Sequence, residues 1–263
     1  MNYELVARLG FFLLILFIVA LWELLAPLRK LKIPKKTRWI NNLLLVVLNT
    51  LLLRLLFPTA AVGVAVFCQH YNLGLLNIIA IPMWLKVVIA FLALDFIIYL
   101  QHVLFHHLPL LWLFHKVHHL DLDYDVTTGL RFHPVEIVLS MLIKFAAICL
   151  IGAPALAVII FEIILNGTSL FNHGNIRLSA WLDRVLRLMI VTPDTHRVHH
   201  STVPKETNSN FGFNLIWWDK LMGTYLAQPK KGHIQMDIGL SEYTNPKQTQ
   251  PLISMLKIPF SRK

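Results

Sequence analysis

Five long apolar runs set the limits on how this chain can fold. They cover roughly residues 8–26, 40–68, 84–105, 135–151 and 153–171. About 20 apolar residues are enough for a helix to cross a bilayer. A helix also satisfies its backbone hydrogen bonds within one segment, which lipid requires. The runs therefore predict an all-α integral membrane bundle with about four to five spanning or half-spanning helices.

Composition supports this interpretation. The chain is 56% hydrophobic and only 14% charged, whereas soluble domains carry about 25% charged residues. The first run is longer than the apolar part of a typical signal peptide and has no strongly basic start, so we expect a retained membrane helix. The second run contains Arg54 and Pro58 and predicts one broken span or a span with a re-entrant piece. Gly152 to Pro154 predict a turn between the last two runs.

The formal net charge of +10 fits a membrane surface better than nucleic acid, because the basic residues flank apolar runs. Six of them follow the first run, between Arg29 and Arg38. The positive-inside rule places this loop in the cytosol. Alternating spans then bring the histidine-rich segment 106–134 and the C-terminal part to the same side. We expect a multi-pass protein with a cytosolic, histidine-rich helical cap, in the inner membrane if the source is bacterial.

The domain organisation predicted from these segments is a single membrane domain over residues 1–263. Its N-terminal membrane helices occupy 1–83 and its C-terminal tail, 228–263, is expected to be loop-like. Residues 176–190 alternate apolar and charged positions at helical spacing, which predicts an amphipathic helix in the membrane interface.

Histidine is the residue type that composition does not explain, with 13 in the chain. One pair has HxxxH spacing and two triplets have HxxHH spacing. Residues at i, i+3 and i+4 share a helix face, so each set is expected to present its rings together. Two single histidines, His133 and His173, lie between the triplets. The pair and triplets are His102 and His106; His115, His118 and His119; His196, His199 and His200.

The third apolar run leads directly into the first pair. Asp95, Tyr99, His102 and His106 form one helical stripe, and an ionisable residue inside an apolar run is usually functional. The Asp95 carboxylate is therefore a candidate acceptor for a ligand imidazole, with a structural cap or a pair with Arg54 as the alternative. His107 lies one position off the stripe, and the isolated His70 and His233 are expected to be surface or structural residues.

So many clustered imidazoles predict two metal ions, since a zinc site takes three or four ligands. Imidazole suits iron, zinc, copper and nickel. Two metals beside lipid favour oxygen activation, because lipid C–H bonds resist acid–base chemistry. Two alternatives stay open: a di-zinc hydrolase of a lipid ester or amide, and a metal transporter. Most histidines lie beyond the apolar runs, which disfavours the transporter.

The three histidine motifs, with the phrases around them, resemble the fatty acid hydroxylase superfamily, also called the sterol desaturase family. The phrase from Asp95 to His102 resembles the family's helix before its first motif. Thr127 to Glu136 is similar to a block of bacterial members, and Asn210-Phe-Gly212 and Trp218 to Tyr225 are similar to the family's ending. The resemblance covers about residues 90–226.

The resemblance implies a di-iron oxygenase that hydroxylates or desaturates a sterol, fatty acyl chain, sphingolipid or similar lipid. It implies O2 and a separate electron-donor protein as partners, and zinc is possible in an isolated sample. The metal ligands that it implies are His102, His106, His115, His118, His119, His173, His196, His199 and His200. His133 and His107 are expected to bind metal or to support a ligand. Residues expected to support the ligands or contact substrate are Asp95, Tyr99, Asn172, Asn175, Arg131 and Glu136, with Asn166 and Asn208 as further hydrogen-bond donors.

Overall fold

The computed structural model describes residues 3–57 and 59–261, so the predicted break at Pro58 lies outside the described residues. The helices in these residues are α1 (Tyr3–Leu25), α2 (Lys35–Leu56), α3 (Ala61–His70), α4 (Leu75–Ile78), α5 (Met83–His107), α6 (Pro109–His119), α7 (Pro134–Ile151), α8 (Ala155–Asn172), α9 (Ala180–Leu186), α10 (Pro193–His199), α11 (Pro204–Thr207), α12 (Trp217–Leu221), α13 (Gly232–Gln235), α14 (Pro246–Thr249) and α15 (Leu252–Lys257). Short 3₁₀ turns cover Val126–Leu130 and Ile258–Phe260.

Five helical segments among the described residues are long and apolar enough to cross a membrane. They are Arg8–Leu25, Lys35–Ile78, Met83–His107, Pro134–Ile151 and Ala155–Asn172. Large apolar side chains on them point outward, as a lipid-facing surface requires: Leu25, Leu55 and Leu150 are each at least 77% exposed. These findings confirm the predicted all-α membrane bundle.

The core of the bundle is built on α8. Both α1 and α5 pack against α8, and α3 packs against α7 and α8. The buried contact positions include Ala90 on α5, Ala147 on α7 and Ala157 on α8. Small residues let membrane helices approach closely, where packing rather than the hydrophobic effect holds them together. The bundle thereby fixes the ends of α5 and α8.

At the end of α7, the turn that contains Gly152 packs closely against the loop that contains Gly74. Gly152 ends α7 in the left-handed conformation, with φ of 70°, as the predicted turn requires. A Cβ atom on Gly74 would lie only 2.2 Å from the backbone nitrogen of Gly152. Both positions therefore require glycine, and the loop before α4 seats directly on the turn between α7 and α8.

At the opposite end of α7 and α8, charged groups tie the helix ends together. The Arg38 side chain donates from Nε to Asp121 Oδ1 at 3.0 Å and from NH2 to Asp121 Oδ2 at 2.7 Å, and it also contacts Asp125. The Glu23 carboxylate accepts from the backbone nitrogens of Val126 at 2.7 Å and Asn175 at 2.8 Å. The basic loop between α1 and α2 therefore lies at the same end as the segment that follows α6.

Two segments outside the bundle differ from expectation in their helix content. The predicted interfacial helix over 176–190 is shorter, because Ser179 caps α9 by accepting from Leu182 while Ile176 is buried in an isolated bridge with Pro27. The tail from 228 contains α13, α14 and α15 joined by loops, and its Met255 is fully buried.

Candidate metal centre

Nine histidines form two adjacent groups where α5, α6, α8 and α10 meet. Within each group, one nitrogen of every ring lies within 4.8 Å of all the others. Group one contains His102, His106, His115, His119 and His199. Group two contains His118, His173, His196 and His200. The groups touch, since the rings of His119 and His200 stack with centroids 4.6 Å apart. Eight of the nine belong to the three motifs, and the ninth, His173, is the further ligand that the family resemblance implies.

The two HxxHH motifs are divided between the groups in opposite ways. The outer histidines of the first motif, His115 and His119, lie in group one, and His118 lies in group two. In the second motif His196 and His200 lie in group two, and His199 lies in group one. On a helix, the side chains at i and i+4 point in more similar directions than the side chain at i+3 does to either of them. Each motif can therefore reach both groups from one helix face.

Local sequence signals place the helices that carry these motifs. Pro109 occupies the first turn of α6, where its missing N–H is tolerated. The second motif lies on α10, which begins at a capping box formed by Thr192 and Thr195. His173 follows the last residue of α8. The histidines of α6, α8 and α10 are therefore placed by defined helix ends and not by free loops.

Hydrogen bonds fix the tautomers of the rings in group one. His102 Nδ1 lies 2.7 Å from the Phe211 carbonyl oxygen, and His115 Nδ1 lies 2.6 Å from Glu136 Oε1. Both oxygens accept, so both Nδ1 atoms carry the proton and both Nε2 atoms present lone pairs. These two Nε2 atoms lie 3.1 Å apart. Two facing lone pairs repel unless a cation lies between them.

Group two repeats this arrangement. His173 Nδ1 donates to the Ser169 carbonyl oxygen at 2.7 Å, so its Nε2 atom is a lone-pair donor. That atom lies 3.2 Å from His118 Nε2 and 3.1 Å from His196 Nε2. Nitrogens bound to one ion at about 2.0–2.1 Å are spaced by roughly 3 Å. The spacing of the rings therefore matches a shared metal ion.

Burial keeps the rings neutral. It lowers the pKa of His115 to about 3 and that of His173 to about 4. For His118, His199 and the other buried members beyond the membrane spans, burial and then the neighbouring histidines hold the pKa well below its usual value. Neutral imidazole is the form that binds metal, because the protonated ring has no lone pair to give.

Among the described residues, several buried ring nitrogens have no hydrogen-bond partner and are therefore free to bind a metal ion. His106 Nε2, His199 Nε2, and both ring nitrogens of His119 and His200 are buried with no hydrogen-bond partner. Buried polar atoms are rarely left unsatisfied. Two groups of imidazole nitrogens, each within 4.8 Å of one another, suit one transition-metal ion each, and by ligand type alone iron, zinc, copper and nickel all fit.

The sequence profile of the fatty acid hydroxylase family matches residues 87–224, which is more than half of the chain. The chain belongs to the fatty acid hydroxylase family. Every histidine of both groups falls within the matched residues.

Relatives include ornithine lipid hydroxylase OlsE of Rhizobium tropici, which is 32% identical over 69% of this chain and 52% of its own length. Alkylglycerol monooxygenases of Xenopus tropicalis and Homo sapiens are each 29% identical over 54% of this chain and 31% of their own length. The chain thus spans about half or less of these relatives. No solved structure matches significantly.

Two predicted supporting residues contact the rings directly. Besides the Glu136 bond to His115, the Asn208 side-chain oxygen lies 3.3 Å from His106 Nδ1. The Glu136 carboxylate holds the proton on His115 Nδ1 and so directs Nε2 inward. Such carboxylate–histidine–metal arrangements raise ligand basicity and fix ring orientation.

Both histidines of uncertain role lie outside the two groups. His133 caps α7 by accepting from the Val135 backbone at 3.2 Å, and its ring packs between Phe114 and Phe260. Pro134 at the start of α7 signals this capping position. His107 is exposed, and its Nδ1 bonds the Val103 carbonyl oxygen at 2.8 Å within its own helix.

The charged and hydroxyl groups of the α5 stripe bond to the segment 214–224 instead of to rings. Asp95 accepts from Trp218 Nε1 at 2.8 Å and from the Leu215 backbone at 3.3 Å. The Tyr99 hydroxyl bonds Thr224 Oγ1 at 3.0 Å. The stripe thus anchors a loop beside the centre, which spacing along α5 alone does not reveal.

The remaining predicted residues brace the backbone around the centre. Asn172 donates to the Phe213 carbonyl oxygen at 3.1 Å. The Asn175 side chain accepts from the Arg29 backbone nitrogen and donates to the Arg29 carbonyl oxygen. Arg131 donates to the Val117 carbonyl oxygen at 2.9 Å, next to His118. Among the described residues, Asn166 bonds within its own helix, at the Glu162 carbonyl oxygen.

Aromatic side chains surround the centre, and the motifs did not indicate them. Phe132 stacks on His118 with centroids 4.6 Å apart, and Tyr124 stacks on His173 at 5.7 Å. Trp112 packs on His106 at 4.9 Å. Gly129 lets the 3₁₀ turn approach, since a Cβ there would lie 2.9 Å from His173 Nδ1. Aromatic residues are common in any apolar chain, so the sequence carried no distinct signal for them.

Proposed function

We propose that this chain is a membrane-bound di-iron oxygenase that hydroxylates or desaturates a lipid. It would use O2 and electrons from a separate donor protein. The observation that carries the proposal is the pair of adjacent, all-histidine groups at one end of a spanning bundle. In this proposal the nine histidines are the metal ligands.

Iron is favoured over zinc by the family relation rather than by the ligand set. The relatives bear the names hydroxylase and monooxygenase, which describe insertion of oxygen, and d¹⁰ zinc has no redox chemistry. When bound, two iron ions would supply the activation of O2 that attack on an unreactive C–H bond needs. Zinc binds such sites more tightly than ferrous iron, so isolated protein is expected to take up zinc readily.

The chain's own residues set the geometry and exclude water. The Glu136 carboxylate and the carbonyl oxygens of Ser169 and Phe211 keep the proton on Nδ1 of three rings. The aromatic wall of Trp112 and Phe132 covers the rings on both groups. A dry, preorganised centre protects reactive chemistry from side reactions with water.

The substrate is proposed to be a membrane lipid that bears a hydrocarbon chain and a polar head. The relatives are named for an ornithine lipid and for alkylglycerol. His106 is the partly exposed member of the two groups. Beside it, Leu104 and Leu108 expose 48% and 46% of their surface at the α5–α6 bend. This apolar bend offers a route by which a lipid chain reaches group one from the membrane.

The proposed organisation follows from the same geometry. Residues 90–226 form the catalytic region of a single membrane domain, with 1–83 and 228–263 bracing it. The centre is proposed to face the cytosol, because the basic loop between Arg29 and Arg38 lies at its end of the bundle and basic loops stay cytosolic.

A lipid mass-spectrometry comparison tests the proposal. Membranes of cells with the wild-type chain are compared with membranes containing the His118→Ala or His199→Ala variant. We expect a lipid that has gained one oxygen or lost two hydrogens, present only with the wild type. Lipid products formed equally without O2 would instead indicate the di-zinc hydrolase.

A further inference from the structure

One short loop contacts most of group one. Residues 208–212 provide an acceptor to three of its five rings. Asn208 Oδ1 lies 3.3 Å from His106 Nδ1, the Ser209 carbonyl oxygen 2.7 Å from His199 Nδ1, and the Phe211 carbonyl oxygen 2.7 Å from His102 Nδ1. The three histidines come from two different helices, α5 and α10. The loop therefore sets the mutual orientation of rings that no single helix could hold.

The Asp219 side chain fixes the position of this loop. Its Oδ1 accepts from the Phe211 backbone at 2.8 Å and its Oδ2 from the Gly212 backbone at 2.9 Å. The Thr224 hydroxyl donates to the same carboxylate at 2.7 Å. Asp219 is fully buried, so its three hydrogen bonds are the ones that satisfy it. A Cβ on Gly212 would come within 2.8 Å of Oδ2, which explains the glycine.

Asn210 locks the middle of the loop. Its backbone takes the left-handed conformation, with φ of 53°, which Asn tolerates better than most residues. Its side chain donates to the carbonyl oxygens of Thr195 at 2.9 Å and Leu226 at 2.8 Å, and it accepts from the Leu226 backbone at 2.8 Å. The peptide carbonyls on either side of Asn210 are thereby turned toward His199 and His102.

Group two is braced by other parts of the chain. His173 donates to Ser169 on its own helix, and His118 stacks on Phe132. Among the described residues, no contact joins the group-two rings to the polar atoms of 208–212. The hydrogen bonds from 208–212 to ring nitrogens thus reach group one alone, although the rings of the two groups touch and both groups draw on α6 and α10.

We propose that residues 208–212, held by Asp219, are a positioning loop that sets the metal affinity of group one and leaves group two unchanged. Asp219 and Asn208 act through the rings as positioning residues. This inference rests on the two-metal centre of the proposed function. A loop of this kind would let the affinity of one metal site be tuned although α6 and α10 are shared with its neighbour.

The test is an anaerobic Co²⁺ titration of the chelator-treated chain of 263 residues in detergent, with no activity assay needed. Asn208→Ala is the first variant, because Asn208 is exposed and its loss should not prevent folding. Asp219→Asn is the second, since it replaces one of the two accepting oxygens with an NH2 group, which cannot accept from the backbone. Matched controls are Asn166→Ala and Asp237→Asn. The Asn166 side chain bonds its own helix in the part of the chain that the structure describes, and the Asp237 carboxylate is half exposed.

Wild type and both controls are expected to bind two Co²⁺ ions per chain with the same affinities. In Asn208→Ala and Asp219→Asn one of the two affinities should fall by about 10- to 100-fold, the usual effect of removing a hydrogen-bond partner of a ligand, while the other stays unchanged. Adding His119→Ala, in group one, should cause no loss of the remaining site. Adding His200→Ala, in group two, should remove it.

Two results would overturn the positioning role: unchanged affinities in both variants, or an equal loss at both sites. If Asp219→Asn does not fold, Asn208→Ala decides alone, with a thermal unfolding curve to show that the variant is folded. A wild type that binds fewer than two ions would refute the two-metal centre itself. Two bound ions without any lipid product would instead leave the loop assignment standing and contradict only the oxygenase.

Discussion

His118 and His199, at the fourth position of their respective HxxHH motifs, each lie in the metal group that contains the outer pair of the other motif. The ring of His118 lies 4.6 Å from that of His200, and the ring of His199 lies 4.7 Å from that of His119. The two motifs therefore interlock across the centre. Each group depends on both α6 and α10, so neither helix holds a metal site alone.

This exchange predicts opposite metal losses from two equivalent substitutions. His118→Ala should weaken the site of group two, and His199→Ala that of group one, because each removes one lone-pair donor from the group it reaches. Activity on lipid should fall to background in both variants. Metal analysis per chain, combined with spectra of the Co²⁺-substituted protein, distinguishes the sites. Loss of the same site in both variants would refute the interlocked assignment.

Glu136 should matter through the tautomer of His115. Removal of the carboxylate in Glu136→Ala leaves Nδ1 without its acceptor and lets the ring turn, so we expect metal affinity and activity to fall by about 10- to 100-fold. Glu136→Gln keeps a carbonyl acceptor but no charge, and its loss should be intermediate. Metal titration of the three proteins checks this order, and equal affinities would show that the 2.6 Å contact does not orient the ring.

The depressed histidine pKa values give the metal-free chain a pH-dependent stability. In the folded state the pKa of His115 is about 3 and that of His173 about 4, whereas an unfolded histidine titrates near pH 6.5. Between these values the unfolded chain binds more protons, so stability rises with pH. It should be fully present above about pH 6.5 and decrease as the pH falls.

Thermal unfolding of chelator-treated protein between about pH 6.5 and 5 measures this dependence, in a range above the ordinary pKa of exposed carboxylates. The melting temperature should drop steadily over that range. The melting temperature of metal-loaded protein should stay constant until protons displace the metal from the rings. A flat melting temperature across the range would show that the nine rings are not buried as neutral groups.

Histidine spacing predicted that the rings of each motif lie together, since i, i+3 and i+4 positions share a helix face. It did not predict how they divide, because a face broad enough for three rings is compatible with one metal or with two. The split of His118 from His115 and His119 depends on where α8 and α10 lie, which is a property of the packed bundle.

The supports of the centre were harder to predict. The carbonyl oxygens of Ser209 and Phe211 hold two rings, and a backbone group leaves no trace in the residue type. Asp95 looked like the acceptor for an imidazole because it shares a stripe with His102, yet its carboxylate faces Trp218. Helical periodicity gives a direction for a side chain but not the identity of the element that packs there.

Arg38 should be essential for stability and not for metal chemistry. Its guanidinium is fully buried among Asp121, Asp125 and Thr128. Removing one partner of a buried ion pair costs about 3–5 kcal/mol, because the remaining charges are left uncompensated. Arg38→Met should therefore lower the melting temperature strongly. Lys36→Ala, at an exposed position nearby, should leave it within about 2 °C of wild type.

The orientation of the bundle is tested by a reporter fused after Lys263. With the basic loop and the centre in the cytosol, a C-terminal reporter that is active only in the cytosol should be active, because α8 returns the chain to that side. A reporter inserted in the exposed loop near Tyr71, which is expected on the other side of the membrane, should be silent. The reverse pattern would place the centre outside the cytosol.

The most direct test of the central claim traces the oxygen atom. Purified, iron-loaded chain in lipid is given a chemical reductant and ¹⁸O₂, and the lipid product is analysed by mass spectrometry. A hydroxylase should place one ¹⁸O from O2 in the lipid, and a desaturase should remove two hydrogens in an O2-dependent reaction. Both should require two iron ions per chain. Product formed without O2, or carrying oxygen from water, would contradict the oxygenase.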